Sequence, residues 1–447
     1  MSKQTLGHFT EGKILPLLVR FSLPVLVALL LQAMYGAVDL LVVGRFATAA
    51  DVSAVATGSN MMMTITGPLS SFAMGLTVLL GLQIGQGELR QVGRTLGAGI
   101  ALFAGIALVV TVLLVSAASL LTTWMRAPVE AAAQTTSYVR ICGLGTLVIV
   151  AYNLLGSVFR GMGDSKTPLK AVAIACLVNI VGDLFFVSVC HLGAAGAAVA
   201  TVLAQAVSVV VSLIFISRRS LPFPFSWKQV RPAGDICLRI TKLGLPLAVS
   251  DLLVGISFVV IQAIVNSLGL IPSAGIGVAE KVCAFIMLVP SSFMQSMAAF
   301  TAQNVGAGKK ERALRALLYG TLLSLVAGSL MFYLAFFHGD LLCGIFSKDA
   351  LVMAAGWDYL KAYAIDCLLT AVFFVFIGFY NGLGLTKFVM AQGIISAFGV
   401  RVPVSFYMSR LRPVSLFAIG LATPLSSALQ IIMCILCLWY IKKKGVL

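Results

Sequence analysis

Long apolar runs separated by short polar stretches follow one another along the whole chain. Most reach the roughly 20 residues that a helix needs to cross a bilayer. The pattern predicts twelve membrane spans, near residues 15–43, 52–83, 95–121, 134–159, 168–190, 194–216, 240–267, 274–304, 313–338, 355–380, 387–409 and 414–441. The first run is too long for the core of a signal peptide and lacks a small-residue cleavage site. The one extended polar stretch, Ser217–Asp235, carries Pro222, Pro224 and Pro232 and reads as a linker. The expected organisation is an N-lobe over 1–217 (spans 1–6), a cytoplasmic linker loop over 218–236 and a C-lobe over 237–447 (spans 7–12).

Composition agrees: 60% of residues are hydrophobic and 10% charged, against about a quarter charged in soluble domains. The fold class is therefore all-α integral membrane. Charge adds an orientation. Of the 31 Lys and Arg, five (Arg45, Arg126, Lys348, Arg410, Arg412) fall in one set of loops. Four more (Arg140, Lys281, Lys361, Arg401) fall within spans or at their ends, which leaves 22 for the opposite loops and the two termini. The positive-inside rule then puts both termini in the cytoplasm of a multi-pass protein of the cell (inner) membrane. The net charge of +16 is read as orientation and contact with anionic membrane lipids. No nucleic acid partner is expected, because no basic patch interleaved with aromatics lies outside the spans.

The two halves match at an offset of 221 residues. "QIGQGELRQVGR" (83–94) aligns with "NVGAGKKERALR" (304–315), and "RGMGDSK" (160–166) with "NGLGLTK" (381–387). Each half has six spans, so the repeats are parallel, related by an axis along the membrane normal, with a central cavity expected between them. The same offset sets Val400 against Asn179, Val404 against Asp183 and Ala422 against Thr201. The second half thus folds without these polar groups, which points to function in the first.

Span 1 carries Gln32, Tyr35 and Asp39 at spacings of three and four, on one helical face. Asn179 and Asp183 on span 5, and Thr201 and Gln205 on span 6, are likewise four apart. An Asp at the centre of a membrane helix costs about 2.5–3.5 kcal/mol on insertion scales, and no Lys or Arg of the first half stands at matching depth. A cation or proton site is the functional reading, a structural hydrogen-bond network the alternative. Pro24 should kink span 1. Tyr138 and Asn153 on span 4 are expected to face one direction. The second half holds Asp251, Glu280, Lys281, Asp366 and Arg401, charges of both signs that internal ion pairs could satisfy.

Other chemistry finds little support. "GAGKK" (306–310) lacks the first glycine and the Ser/Thr of a phosphate loop. His8, His191 and His338 lie near ends or loops, and nine scattered cysteines suggest no disulfide framework. Cys434 and Cys437 form a CxxC with no His nearby, which reads as packing. No nucleophile–base or metal constellation marks an enzyme.

With the 6+6 duplication, "RGMGDSKTP", "QNVGAGKKER" and the polar set of the first half, the chain resembles the multidrug and toxic compound extrusion (MATE) family from about Lys13 to Lys444. Asp39, Asn179, Asp183 and Thr201 are similar to the set of the DinF-type and archaeal branch, where they imply a Na+ or H+ site. Pro24 matches the proline at which span 1 of that branch bends. Gln32, Tyr138 and Asn153 match cavity positions, and Tyr35 and Gln205 join them as substrate-facing candidates. NorM-type members couple through C-lobe carboxylates on spans 7 and 10. Asp251 and Asp366 lie on those spans, each displaced by about one turn, and Glu280 is a third C-lobe candidate.

The resemblance implies a secondary antiporter, working as a monomer without a cofactor, that exports amphiphilic, cationic organic compounds against an inward Na+ or H+ gradient by alternating access. The alternative is a lipid-linked oligosaccharide flippase of the same superfamily, which would use cationic groups such as Lys281 and Arg401.

Overall fold

The computed structural model describes residues 8–218, 221 and 223–445. Arg219 and Pro222 of the linker therefore lie outside the described residues. The described chain is helical and contains no strand. In lipid this follows from the backbone: only helices or closed barrels satisfy every N–H and C=O internally. Eleven segments are long and apolar enough to cross a membrane. A twelfth forms if the bent pair over Val129–Leu144 and Thr146–Met162 is one span.

The helices are α1 (Ile14–Phe46), α2 (Ala49–Gln86), α3 (Leu89–Trp124), α4 (Ala132–Leu144), α5 (Thr146–Met162), α6 (Lys166–Asp183) and α7 (Gly193–Arg218). Then come α8 (Gly234–Asn266), α9 (Leu270–Ile286), α10 (Leu288–Gly306), α11 (Lys310–Phe337), the short α12 (Gly339–Gly344) and α13 (Ala350–Gly382). The last are α14 (Thr386–Ser396), α15 (Val402–Arg410), α16 (Leu416–Gly420) and α17 (Ala422–Lys443). A π-helical turn, Leu184–Val189, continues α6, and another, Ala397–Arg401, joins α14 to α15.

Three expected spans are interrupted. Span 4 bends by 53° where α4 meets α5 at Gly145, so Tyr138 and Asn153 do not sit on one straight helix. A Cβ on Gly145 would come within 2.5–2.6 Å of the Val202 methyls, so α7 packs closely against the bend. Span 8 is divided at Met287 and span 12 at Leu421.

The chain forms two compact units. Leu23–Ala248 belong to the first, and Phe9–Ser22 with Val249–Leu447 to the second. The first nine residues of α1 and the first fifteen of α8 are thus grouped with the opposite half. In the first unit the linker lies on the helices: Phe223 is buried with Phe72, Leu76 and Ile240. A Cβ on Gly93 or Gly97 would collide with the carbonyls of Pro224 or Gln229. The second unit centres on Ile276, Tyr359, Leu360 and Tyr363.

The repeat is visible in backbone conformation. Gly87 and Gly308 end α2 and α10 at φ +75° and +70°, and Gly163 and Gly384 stand at +83° and +77°. These are left-handed values that only glycine adopts cheaply. Each pair is 221 residues apart. A local difference follows the second pair. Asp164 caps α6, accepting from the backbone N–H groups of Lys166 and Thr167, both at 3.0 Å. Leu385 replaces it in the second half.

Candidate cation site

The site is built by α1, α6 and α7 of the first unit. On α6 the residues Leu177, Val181 and Leu184 are exposed and form an outer, lipid-facing stripe. Asn179 and Asp183 lie off that stripe and are fully buried, and Asp39 on α1 is 2% exposed. Asp183 therefore does not point into the acyl chains. Gly182 lets α6 approach α7, since a Cβ there would sit 3.1 Å from that of Ala200. Small residues at such a contact allow close packing in lipid. The π-helical turn begins one residue after Asp183, an irregularity frequent at functional sites.

The polar groups converge on Asp39. Asn179 Nδ2 donates to its Oδ1 at 3.1 Å, and the Thr201 hydroxyl donates to its Oδ2 at 3.0 Å. Asp183 faces Asp39 within reach of a shared proton, but no donor reaches either of its oxygens. Asn179 Oδ1 is also buried without a partner. Three acceptor atoms are thus left without donors around one carboxylate pair. Two ionised carboxylates so placed repel strongly in a low-dielectric surrounding. A proton shared by the pair, or a small cation held between them, relieves that repulsion. The donor set is all oxygen, which suits a hard cation and not a soft one. Consistently, no cluster of three His, Cys, Asp or Glu occurs among the described residues, and all nine cysteines are free thiols.

The surrounding candidates fall into two groups. Tyr35 donates to the Val172 carbonyl at 3.0 Å and ties α1 to α6. Gln32 donates to the Tyr152 hydroxyl on α5, a partner that no spacing in the sequence links to span 1. Tyr138 is buried against Gly58 and lies near enough to feel both Asp39 and Asp183. By contrast, Asn153 donates to the Ile149 carbonyl one turn back, at 2.9 Å. Gln205 keeps a buried Oε1 without a partner, one turn beyond Thr201.

The candidates of the second unit do not all meet. Asp366 is 1% exposed and Arg401 5%. Both they and Glu280 act electrostatically on Tyr359. Asp251 is at an exposed position of α8. Arg401 donates to Ser257 Oγ at 3.2 Å and stacks over the Phe258 ring at 4.5 Å. Its Nε and Asp366 Oδ1 have no partner. Lys281 points elsewhere, 6.0 Å from the Phe346 ring.

The repeat is also what comparison with known proteins finds. The MatE family model matches twice, over residues 24–185 and 246–407. The chain belongs to the MatE family. As a MatE protein it is similar to the "Probable multidrug resistance protein YpnP" of Bacillus subtilis, with 27% identity over 90% of each chain. It is similar as well to the "Multidrug export protein MepA" of Staphylococcus saprophyticus, at 24% identity over 92% of this chain and 91% of the relative. The fold matches a solved structure described as the outward-facing conformation of a multidrug resistance MATE family transporter of the MOP superfamily. That match has a TM-score of 0.92 over the whole of both chains, at 18% identity. This MatE chain is accordingly a multi-pass membrane transporter.

Proposed function

We propose that this transporter is a cation-coupled antiporter that exports amphiphilic, cationic organic compounds from the cell. The observation that carries the reading is the buried pair Asp39–Asp183 with its three unsatisfied acceptors. The names of the relatives support multidrug export. Asp39 and Asp183 hold the coupling cation, and Asn179 and Thr201 complete its oxygen shell. Gln32, Tyr35, Tyr138, Asn153 and Gln205 offer polar contacts to the substrate, and Pro24 serves as the hinge of α1. The inward gradient supplies about 2.3 kcal/mol per charge per 100 mV and about 1.4 kcal/mol per tenfold concentration ratio.

Na+ is the favoured coupling ion, with H+ competing at the same carboxylates. Protonation needs a single carboxyl group, whereas four residues here offer oxygen. The test is release of a bound fluorescent organic cation from purified protein, first by a Na+ jump at fixed pH, then by a pH drop without Na+. Both should displace the cation in the wild type. Thr201→Val should weaken the Na+ response about tenfold, as loss of one hydroxyl ligand suggests, and spare the H+ response. No response of the wild type to Na+ rejects the Na+ site, and no response to either ion rejects the shared site. Flux assays in liposomes with imposed gradients then separate the antiporter from a lipid-linked oligosaccharide flippase, whose flux would not follow the cation gradient.

A further inference from the structure

The segment leading into α1 is held by a clasp that the transport reading does not use. Arg312, near the start of α11, donates to three backbone carbonyls of that segment. Nε reaches Phe9 O at 2.9 Å, Nη2 reaches Glu11 O at 2.7 Å and Nη1 reaches Gly12 O at 2.8 Å. Lys309 Nζ adds Thr10 O at 3.0 Å, and Asn304 Nδ2 adds Phe9 O at 3.1 Å. Beneath them Phe9 is 2% exposed. Its ring packs on Phe300 and Phe21 at 5.1 and 4.9 Å, and the guanidinium itself lies over Phe300 at 5.7 Å. All of these contacts lie within the second unit.

Two features separate this clasp from ordinary helix capping. The guanidinium fork engages three carbonyls with three different nitrogens, a geometry that no lysine can reproduce. Moreover, the offset of 221 places Glu88 and Gln91 opposite Lys309 and Arg312. The first half lacks these cations, and its own approaching strand, the linker, is held by packing over Gly93 and Gly97. The clasp therefore exists once, on the segment that leads to Asp39. From Phe9 to Ser22 the chain groups with the second unit and from Leu23 with the first, so α1 changes unit one residue before Pro24.

We infer that Arg312 is a positioning residue for transport. It fastens the start of α1 to the end of α10 and the start of α11, so that rearrangement there is delivered along α1, past Pro24, to the cation site. The inference rests on the transport reading above and is tested in the full chain, reconstituted in nanodiscs and in liposomes. The first readout is independent of transport: cleavage at Glu11, an exposed residue, by a Glu-specific protease. Arg312→Gln should be cut at least about tenfold faster than wild type, since several charge-assisted hydrogen bonds are lost. Arg312→Lys should fall between them. The second readout separates positioning from folding. Arg312→Gln should lower the maximal rate of fluorescent cation flux about fivefold, equivalent to a modest rise in one barrier. KM and equilibrium affinity for the probe should stay unchanged. Deleting residues 2–12 should give the same defect, and adding Arg312→Gln to it should cause no further loss. Equal cleavage of wild type and variant overturns the clasp. Faster cleavage with a wild-type flux rate, or a parallel loss of probe affinity, overturns the positioning role. Absence of flux in the wild type rejects the transport reading and the positioning role together, while the protease result still decides the clasp.

Discussion

In the first unit the end of α6 turns Asn179 and Asp183 toward α1 and α7, and no basic side chain hydrogen-bonds or pairs with either. In the second unit Val400 and Val404 stand at the corresponding positions, and the buried polar group is Arg401, one residue further on. The two centres share helices, glycine turns and close approaches, so the fold tolerates either chemistry. They differ in charge. The first is acidic, with three buried acceptor atoms that no protein donor reaches. The second brings its own cation into the same buried region as Asp366, so its need for a mobile ion is smaller. Under the proposed function, a duplicated scaffold assigns ion binding to one copy and leaves the other to carry fixed charge.

The largest expected effect comes from removing the acidity of the first centre. Asp183→Asn discards a charged ligand worth about 3 kcal/mol, so Na+ affinity should fall about a hundredfold. It should abolish both the Na+ and the H+ response in the release assay. A variant that retains the Na+ response would falsify the role given to Asp183. Next in size is Arg401→Met. It removes the cation that acts on buried Asp366, to which Ser427 also donates, and should destabilise the protein by about 1–2 kcal/mol in thermal unfolding. Adding Asp366→Asn should restore most of the loss. Unchanged stability of the single variant would mean that the second centre is not internally neutralised, and the contrast between the units would collapse.

Smaller effects concern the frame. Pro24→Ala should reduce maximal flux by roughly fivefold while shifting stability by less than about 0.5 kcal/mol. Flux at the wild-type rate, at equal expression, would retire Pro24 as a hinge. The same change at Pro246 of α8 tells whether the property is shared by both halves. On stability alone, Gly163→Ala and Gly384→Ala should each cost about 1 kcal/mol, because both glycines hold left-handed φ values. Unequal losses would show that the two turns are not equivalent.

Much of this frame could be read without coordinates, for identifiable reasons. An apolar run of more than twenty residues has few alternatives to a membrane helix. Glycines repeated at one offset mark turns because few other residues tolerate their backbone angles. Asp39, Asn179, Asp183 and Thr201 could be grouped because each is too polar to face lipid. Other features leave no mark on the sequence. The bend at Gly145 lies against Val202, more than fifty residues away. Nothing in the spacing of α13 and α8 tells that Asp366 is buried while Asp251 is exposed. The partnership of Gln32 with Tyr152 joins two helices whose register is set only by packing. Nor could the sequence show that Arg312 spends its nitrogens on carbonyls some 300 residues away.

That separation has a consequence for how the protein is made. The segment Phe9–Gly12 leaves the ribosome about 300 positions before the residues that clasp it. At 5–20 residues per second, the interval is roughly 15 to 60 seconds. During that time Phe9 can reach Phe21 but lacks the Phe300 ring, and nothing yet covers the carbonyls that Arg312 will hold. The first unit likewise remains incomplete until Gly234–Ala248 has been added. Neither half of this protein is a self-sufficient product of translation, and residues of α10 and α11 are required to finish the entry to α1.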